Sequence, residues 1–335
     1  MSLISRGLSD DASTLPAIPR DLLAPIGWDT IVISEMGEDL VALGSGSALH
    51  DIHTSSVYFG EHTEYPAITG ALITVFVRES VARRLQQAQI LLPANHYLMV
   101  LDGYRPQSVQ ETLYADYYQA LAQLEPEWSP DRLQAETDKY IARPSTDTHC
   151  PSPHSTGGAV DVVIFRLPPR INSLYRQLVE NTHRMSVLAY RERAEIVCRH
   201  AQFLDFGTAF DEGGEKAHVN YYELLGKKRP LNRSECEARD NRRLLYNVML
   251  SNGMQPYLYE WWHYNAPETQ MGAVTAGERV AKFGAVEMSP ANRAFETKRR
   301  EYYMQINGDT PLRLNSRAAA FFGTGKVVPS GTLPT

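Results

Sequence analysis

The sequence predicts an α+β domain: one small, mainly antiparallel sheet flanked by helices, with the functional site on the sheet's open face. Two observations carry this expectation. Apolar, β-branched runs of strand length at 71–77, 97–101 and 159–165 are separated by segments whose apolar residues recur at helical spacing. The residues able to do chemistry sit at or beside strand-like runs. His154 and Asp161 bracket the start of the third run, and Glu260 and His263 lie in an aromatic run at 257–264.

The 335 residues are 43% hydrophobic, enough for a sizeable core in one elaborated domain. They divide into a flexible N-terminal arm over 1–25, a main domain over 26–270 with an insertion near 167–200, and a C-terminal extension over 271–335. A net charge of −6 argues against a nucleic-acid partner, which would want a basic face. No run is apolar enough to span a bilayer, and no signal-peptide core stands near the N-terminus. Three cysteines, Cys150, Cys198 and Cys236, form no Cys-x-x-Cys pair and fit a reducing cytoplasm.

In chain order, residues 30–34 read as a short strand. Gly44-Ser45-Gly46 imitates a dinucleotide fingerprint, but Leu49 replaces the third glycine and no acidic residue follows a second strand. His50 and His53 form a metal-like pair in a polar loop, where solvent exposure is the expectation. Residues 71–77 read as a strand and 80–92 as a helix, with Val81, Leu85, Ala88 and Leu92 on one face. The strand at 97–101 runs into Arg105-Pro106, and Pro106 can start a helix reaching about Leu124. Ser129 caps another helix ending near Arg143. Residues 167–200 look helical in pieces and read as a surface insertion. Ser234-x-x-Glu237 reads as a capping box opening a helix to Asn252. Pro290 starts a last helix to about Tyr303, and an extended tail is expected from Gly323.

The chemistry concentrates in two stretches. In the first, His154 is followed seven residues later by Asp161, with Gly157 and Gly158 between them permitting a tight turn. Asp161 is the one charge in a buried strand, which costs several kcal/mol by order of magnitude unless it is paired or metal-bound. A metal would remove that cost, and so would backbone N–H groups or an arginine. In the second stretch, Glu260 and His263 have opposite parity on a strand, so a turn or bulge at Trp261-Trp262 is needed to bring both to one side. Alone, this run reads as an aromatic core strand with polar edges. Together, two His and one Asp are a common three-ligand set for a catalytic Zn²⁺, with Glu260 as a proton acceptor beside it.

Ser-x-His-x-x-Gly-x-Ala-x-Asp at 152–161 followed by Glu-Trp-Trp-His-Tyr at 260–264 resembles the D-alanyl-D-alanine dipeptidases, VanX-type zinc peptidases sharing a fold with zinc D,D-carboxypeptidases and the Hedgehog signalling domain. Leu-Asp-Gly-Tyr-Arg-Pro at 101–106, Phe-Gly-Thr-Ala-Phe-Asp at 206–211 and Asn-Arg-Arg-Leu-Leu at 241–245 follow the family's order. The resemblance covers roughly residues 55–265.

It implies that His154, Asp161 and His263 bind one zinc per chain and that Glu260 is general base, then acid. It implies that Arg105 holds the developing oxyanion, that Asp211 faces the substrate's free ammonium and that Ser152 lies close to the bound dipeptide. Tyr58 is the candidate for the family's substrate-contacting tyrosine. The implied reaction is hydrolysis of a free D,D-dipeptide, D-Ala-D-Ala first, in the cytoplasm. The alternatives are a related zinc amide hydrolase acting on another small D-amino-acid compound, and a zinc-stabilised binding module that needs the three ligands but not both Glu260 and Arg105. Expected partners are the dipeptide and, in a homo-oligomer, further copies of the chain, with no nucleic acid or membrane.

Overall fold

The computed structural model describes residues 14–61, 67–181, 187–307 and 314–322. Its strands are β1 (Val32–Ile33), β2 (Leu40–Ala42), β3 (His53–Thr54), β4 (Phe76–Arg78), β5 (His96–Asp102), β6 (Ala159–Arg166), β7 (Gln202–Phe203), β8 (Gln255–Tyr257), β9 (Glu260–Asn265) and β10 (Val280–Ala281). The helices are α1 (Glu79–Leu91), α2 (Gln107–Leu124), α3 (Pro130–Tyr140), α4 (Pro169–Asn181), α5 (Val187–His200), α6 (Tyr221–Lys228), α7 (Arg233–Ser251), α8 (Gln270–Ala276), α9 (Pro290–Asn307) and α10 (Ser316–Phe322).

The main sheet runs β3-β5-β6-β9-β8, with β7 pairing the end of β6. Only β3 and β5 pair in parallel within it; the other pairs are antiparallel. The expected α+β class and small, mainly antiparallel sheet are therefore what the chain forms. β6 is its spine. Seven of its eight residues are buried and, apart from Asp161, apolar, because both faces of the strand are covered. Val160, Val162, Val163, Ile164 and Phe165 join Leu98–Leu101 of β5 and the α1 and α7 faces in one continuous core. Two small pairs, β2 with β4 and β1 with β10, complete the strands.

Several expectations need correction. The strand expected over 71–77 is confined to Phe76–Arg78, since Ile73 and Thr74 give their N–H groups to the Glu296 carboxylate of α9 instead of a ladder. The α7 capping box is Asn232-x-x-Glu235, two residues earlier than Ser234-x-x-Glu237, because the Asn232 side chain and the Glu235 carboxylate satisfy each other's backbone N–H groups. The 167–200 segment is no mere surface insertion. Tyr175, Val197 and Cys198 pack into the main core, and Arg193 is 1% exposed.

The described part of the N-terminal arm is likewise fixed. Leu15 and Ile18 are buried, and Glu223 accepts the Ile18 N–H. His53 is buried, with Nδ1 3.0 Å from the Tyr175 hydroxyl, and so is not solvent-exposed. Beyond 270, β10 pairs β1, and Phe283, Glu296 and Arg299 are buried, so the C-terminal extension packs on the domain. Residues 1–13 of the expected arm and the tail from Gly323 lie outside the described residues.

Candidate active site

The β5–α2 junction provides the first wall. Gly103 carries no side chain because a Cβ there would stand 2.5 Å from the Phe76 carbonyl oxygen of β4. That close approach lets the Tyr104 N–H reach Phe76 O at 2.6 Å, and the Arg105 N–H donates to His154 O at 3.2 Å. Arg105 is thus held between a strand end and the Pro106 start of α2. Its Nε donates to Asp102 (2.7 Å) and its Nη1 to Gln110 (2.8 Å). Its Nη2 points to Tyr58 Oη (3.4 Å) and Asp161 Oδ2 (3.5 Å). Burial disfavours its charge, but Tyr58 and the Asp102 and Asp161 carboxylates outweigh burial and keep it cationic.

The second wall is the 3₁₀ turn Pro153–Thr156, closed by Gly157 at φ 68°. A side chain at Gly158 would collide with Thr269 Cγ2 at 2.4 Å, so both glycines are needed where the turn enters β6. The turn aims His154 at the sheet, and β6 register places Asp161 opposite His263 of β9. In the β8–β9 hairpin the pairing jumps from Pro256–Tyr264 to Tyr257–Glu260, so Trp261–His263 bulge out. This is the bulge that parity demands, and it brings Glu260 Oε2 to 3.7 Å from His263 Nδ1. Trp261 anchors it, stacked on Phe206 with centroids 4.1 Å apart and donating to Thr208 Oγ1.

His154, Asp161 and His263 bring their ligand atoms within 4.8 Å of one another, all buried. The hydrogen-bond pattern tests whether a metal fits. Gly103 O can only accept, so His154 Nδ1 (2.8 Å away) carries its proton and Nε2 keeps a lone pair. His263 has an acceptor at each nitrogen, Asn265 Oδ1 at 3.3 Å from Nε2 and Asp161 Oδ1 at 3.1 Å from Nδ1; with the proton on Nε2, held by Asn265, Nδ1 keeps a lone pair. These two lone-pair nitrogens face each other at 3.1 Å, and Asp161 Oδ1 lies 3.1 Å from His263 Nδ1 and 3.5 Å from His154 Nε2. In that tautomer three acceptors converge, which fits a cation, and two N and one O ligands suit zinc.

Burial opposes ionisation of Asp161, but His154 and His263, when they carry a proton toward it, more than offset burial and hold the carboxyl well below the usual range; a metal cation between them would act in the same direction. Glu260 goes the other way: burial, then the carboxylates of Asp161 and Asp211, push it well above the ordinary carboxylate value, against a smaller pull from Arg105. A cation at the three ligands would draw it back down.

Around this centre lies a cavity of about 50 Å³ lined by Arg105, Ser152, His154, Asp161, Asp211, Glu260 and His263. All seven residues singled out from sequence therefore share one pocket. Asp211 sits at φ 61°, in the left-handed region, and the Tyr58 hydroxyl donates to its Oδ2 at 3.3 Å. Tyr58, stacked under the Arg105 guanidinium at 4.9 Å, joins Arg105 to Asp211. Trp28, Tyr140, Tyr257, Trp262 and Met271 supply apolar lining. His218 is outside this lining, its ring edge on Tyr259, and Cys150 is outside it too.

The sequence assigns no role to Gln110 or Asn265, nor to Asp102 and Gly103 beyond their place in the 101–106 motif. Asp102 and Asn265 had a signal: each is a polar residue on a buried strand, and Asn265 shares His263's face. The Asn-Arg-Arg-Leu-Leu motif is structural, since Arg242 gives hydrogen bonds to the carbonyls of Phe206, Lys216 and His218 and so fixes the loop carrying Asp211.

A family model described as D-ala-D-ala dipeptidase matches residues 183–280. The D-alanyl-D-alanine dipeptidase of Synechocystis sp. is 25% identical over 229 residues, covering 63% of this chain and 79% of that protein. That of Enterococcus faecalis is 28% identical over 190 residues, covering 56% and 70%. Among solved structures, a variant of the vancomycin resistance D,D-pentapeptidase VanY in complex with Zn(II) aligns at 18% identity over 46% of this chain and 72% of that one, with a TM-score of 0.22. VanYB in complex with D-alanine-D-alanine aligns at 19% identity, 46% and 71% coverage and the same TM-score. The family model and the dipeptidase relatives agree: what this chain is similar to, at 25–28% identity, is D-alanyl-D-alanine dipeptidases.

Proposed function

We propose that the protein is a zinc-dependent dipeptidase that hydrolyses the peptide bond of a free D,D-dipeptide, D-Ala-D-Ala first. The observation that carries this reading is the convergence of two lone-pair imidazole nitrogens on Asp161, with Glu260 on one side and Arg105 on the other. His154, Asp161 and His263 would hold the zinc, one per chain. Bound there, zinc supplies Lewis acidity that lowers the pKa of water to roughly 7 and polarises the scissile carbonyl.

The chain's own groups do the rest. Glu260 takes a proton from the attacking water and returns it to the leaving amine. Arg105, fixed by Asp102 and Gln110, offers Nη2 to the carbonyl oxygen as it gains charge. Asp211, oriented by Tyr58, receives the substrate ammonium, and Ser152 lies at the dipeptide. The presence of both Glu260 and Arg105 in one pocket with the ligand set favours an enzyme over a zinc-stabilised binding module.

A second reading has a specific observation behind it. Trp28, near the start of the main domain, and Met271, just past its end, line the cavity, so segments at the domain's two ends shape the pocket, as a related amide hydrolase for another small D-amino-acid compound would use. No helix among the described residues is long and apolar enough to cross a membrane, and all three cysteines are free, which supports a cytoplasmic site of action as part of this proposal.

A panel of D,D-, L,D- and L,L-dipeptides, run on wild type, Glu260→Gln and Arg105→Ala, tests it. Wild type should cleave the D,D compounds. Glu260→Gln should keep zinc and fold yet lose about 10² or more in kcat, and Arg105→Ala about 10²–10³. Unchanged turnover in both variants would return the binding module to favour.

A further inference from the structure

A second polar cavity, of about 20 Å³, lies at the opposite edge of the sheet from β8 and β9. The 44–47 loop, β3, α5 and α9 surround it. It is lined by Ser45, His53, Glu61, Arg193, Cys198 and Arg299, among others.

Two arginines in this fold are buried to 1% exposure with no carboxylate within ion-pair distance among the described residues, Arg193 and Arg242. They differ in how they are satisfied. Arg242 engages Nε, Nη1 and Nη2 with backbone carbonyls. Arg193 gives Nε to Tyr175 Oη (3.1 Å) and Nη1 to Ser45 Oγ (3.2 Å) and the His50 carbonyl, but its buried Nη2 finds no acceptor among the described residues. A desolvated guanidinium without a counter-charge costs several kcal/mol by order of magnitude.

The described lining carries more cationic than anionic side chains. Arg299 stands across from Arg193, with Nη1 on Leu43 O (2.9 Å) and Nη2 on Ser45 O (2.6 Å). The Tyr175 hydroxyl, which accepts from Arg193 Nε, also stands 3.0 Å from His53 Nδ1. Glu61 contributes one negative charge, already engaged by the Ser56 N–H at 3.1 Å. Among the described lining residues, two guanidiniums stand against one carboxylate. Gly44, at φ 80°, keeps the wall close: a Cβ there would come within 2.5 Å of Thr54 Oγ1 and 3.2 Å of Arg299 Nη2.

We propose that this cavity binds a small monovalent anion, held by Arg193 Nη2 and tying α5 and α9 to the 44–54 segment. About 10–15 Å³ by this measure admits one water-sized group, so there is room for chloride or the head of formate and none for sulfate.

The test uses the full-chain, zinc-loaded protein and reads the thermal midpoint. Sodium chloride, formate and sulfate are titrated at constant ionic strength, with gluconate as the balancing anion. Chloride and formate should raise Tm saturably, by about 4 °C at a hundredfold excess over the dissociation constant. Chloride without formate would identify a halide site, and both together a general small-anion site; either supports the proposal. Arg193→Met should abolish the response. Because Arg193 also bonds Ser45, His50 and Tyr175, wild-type crystals soaked in bromide supply a second measurement. An anomalous peak within hydrogen-bond reach of Arg193 Nη2 is expected. A Tm that is the same in chloride and gluconate, a rise with sulfate equal to that with chloride, or a soaked crystal without a peak at Arg193 would overturn it.

Discussion

Lowering the pH should loosen the loop and hairpin that present Asp211 and Glu260, and His218 is the group that makes it so. His218 precedes Val219, whose N–H donates to Leu258 O of the hairpin, and its own carbonyl accepts from Arg242. Its Nε2 is buried with no partner among the described residues. Burial first, then the cations of Arg242 and Lys139, lower its pKa from 6.5 to about 4, against a smaller opposing pull from Glu136.

The sign follows from linkage. Between pH 6.5 and 4 the unfolded chain binds a proton at this site that the folded chain does not, so stability falls as pH falls through that window and levels off below it. A difference of roughly 2.5 pKa units at 1.36 kcal/mol each gives about 3 kcal/mol lost by pH 4. The assay is urea unfolding of wild type and His218→Phe at pH 7 and pH 4.5. Phenylalanine keeps an aromatic edge toward Tyr259 and cannot ionise. Both proteins keep His154, Asp161 and His263, so the acid response of that cluster cancels in the difference. The variant should lose about 2 kcal/mol less than wild type on going from pH 7 to 4.5. Equal losses would refute the reasoning.

Two further outcomes are expected. Asp211→Asn should lower kcat/KM for free D-Ala-D-Ala and leave zinc untouched. Wild type should reject the N-acetyl form by roughly 10³ or more, since an acylated nitrogen leaves the acid unpaired; comparing the two compounds on both proteins decides it. Asn265→Leu removes the acceptor of the His263 Nε2 proton and should weaken zinc affinity by about 10–100-fold, measured by competition with a chelator, with turnover largely regained at saturating zinc.

Much of the site was legible in the sequence for physical reasons. Asp161 stands out as the lone charge in a run that must be buried, and β6 does bury it. The opposite parity of Glu260 and His263 required a break in strand regularity, and the pairing jump at β8–β9 is that break. What stayed hidden depends on contacts distant in sequence. Nothing near Tyr58 shows that it will bridge Arg105 to Asp211, 47 and 153 residues away. The strand expected at 71–77 shortens because Glu296, more than two hundred residues on, takes its N–H groups. The 167–200 segment reads as a polar insertion because its charges dominate. Yet Tyr175 and Arg193 turn inward, and only the packed fold shows the cavity that receives them.

The most direct test of the central claim is the zinc stoichiometry of the purified protein, followed through chelation and repletion while D-Ala-D-Ala hydrolysis is measured on the same samples. About one zinc per chain is predicted, with activity lost on chelation, regained at one equivalent of Zn²⁺, and both metal and activity missing in His154→Ala. Hydrolysis that persists in fully stripped protein, or a His154→Ala variant with full zinc and full activity, would contradict it.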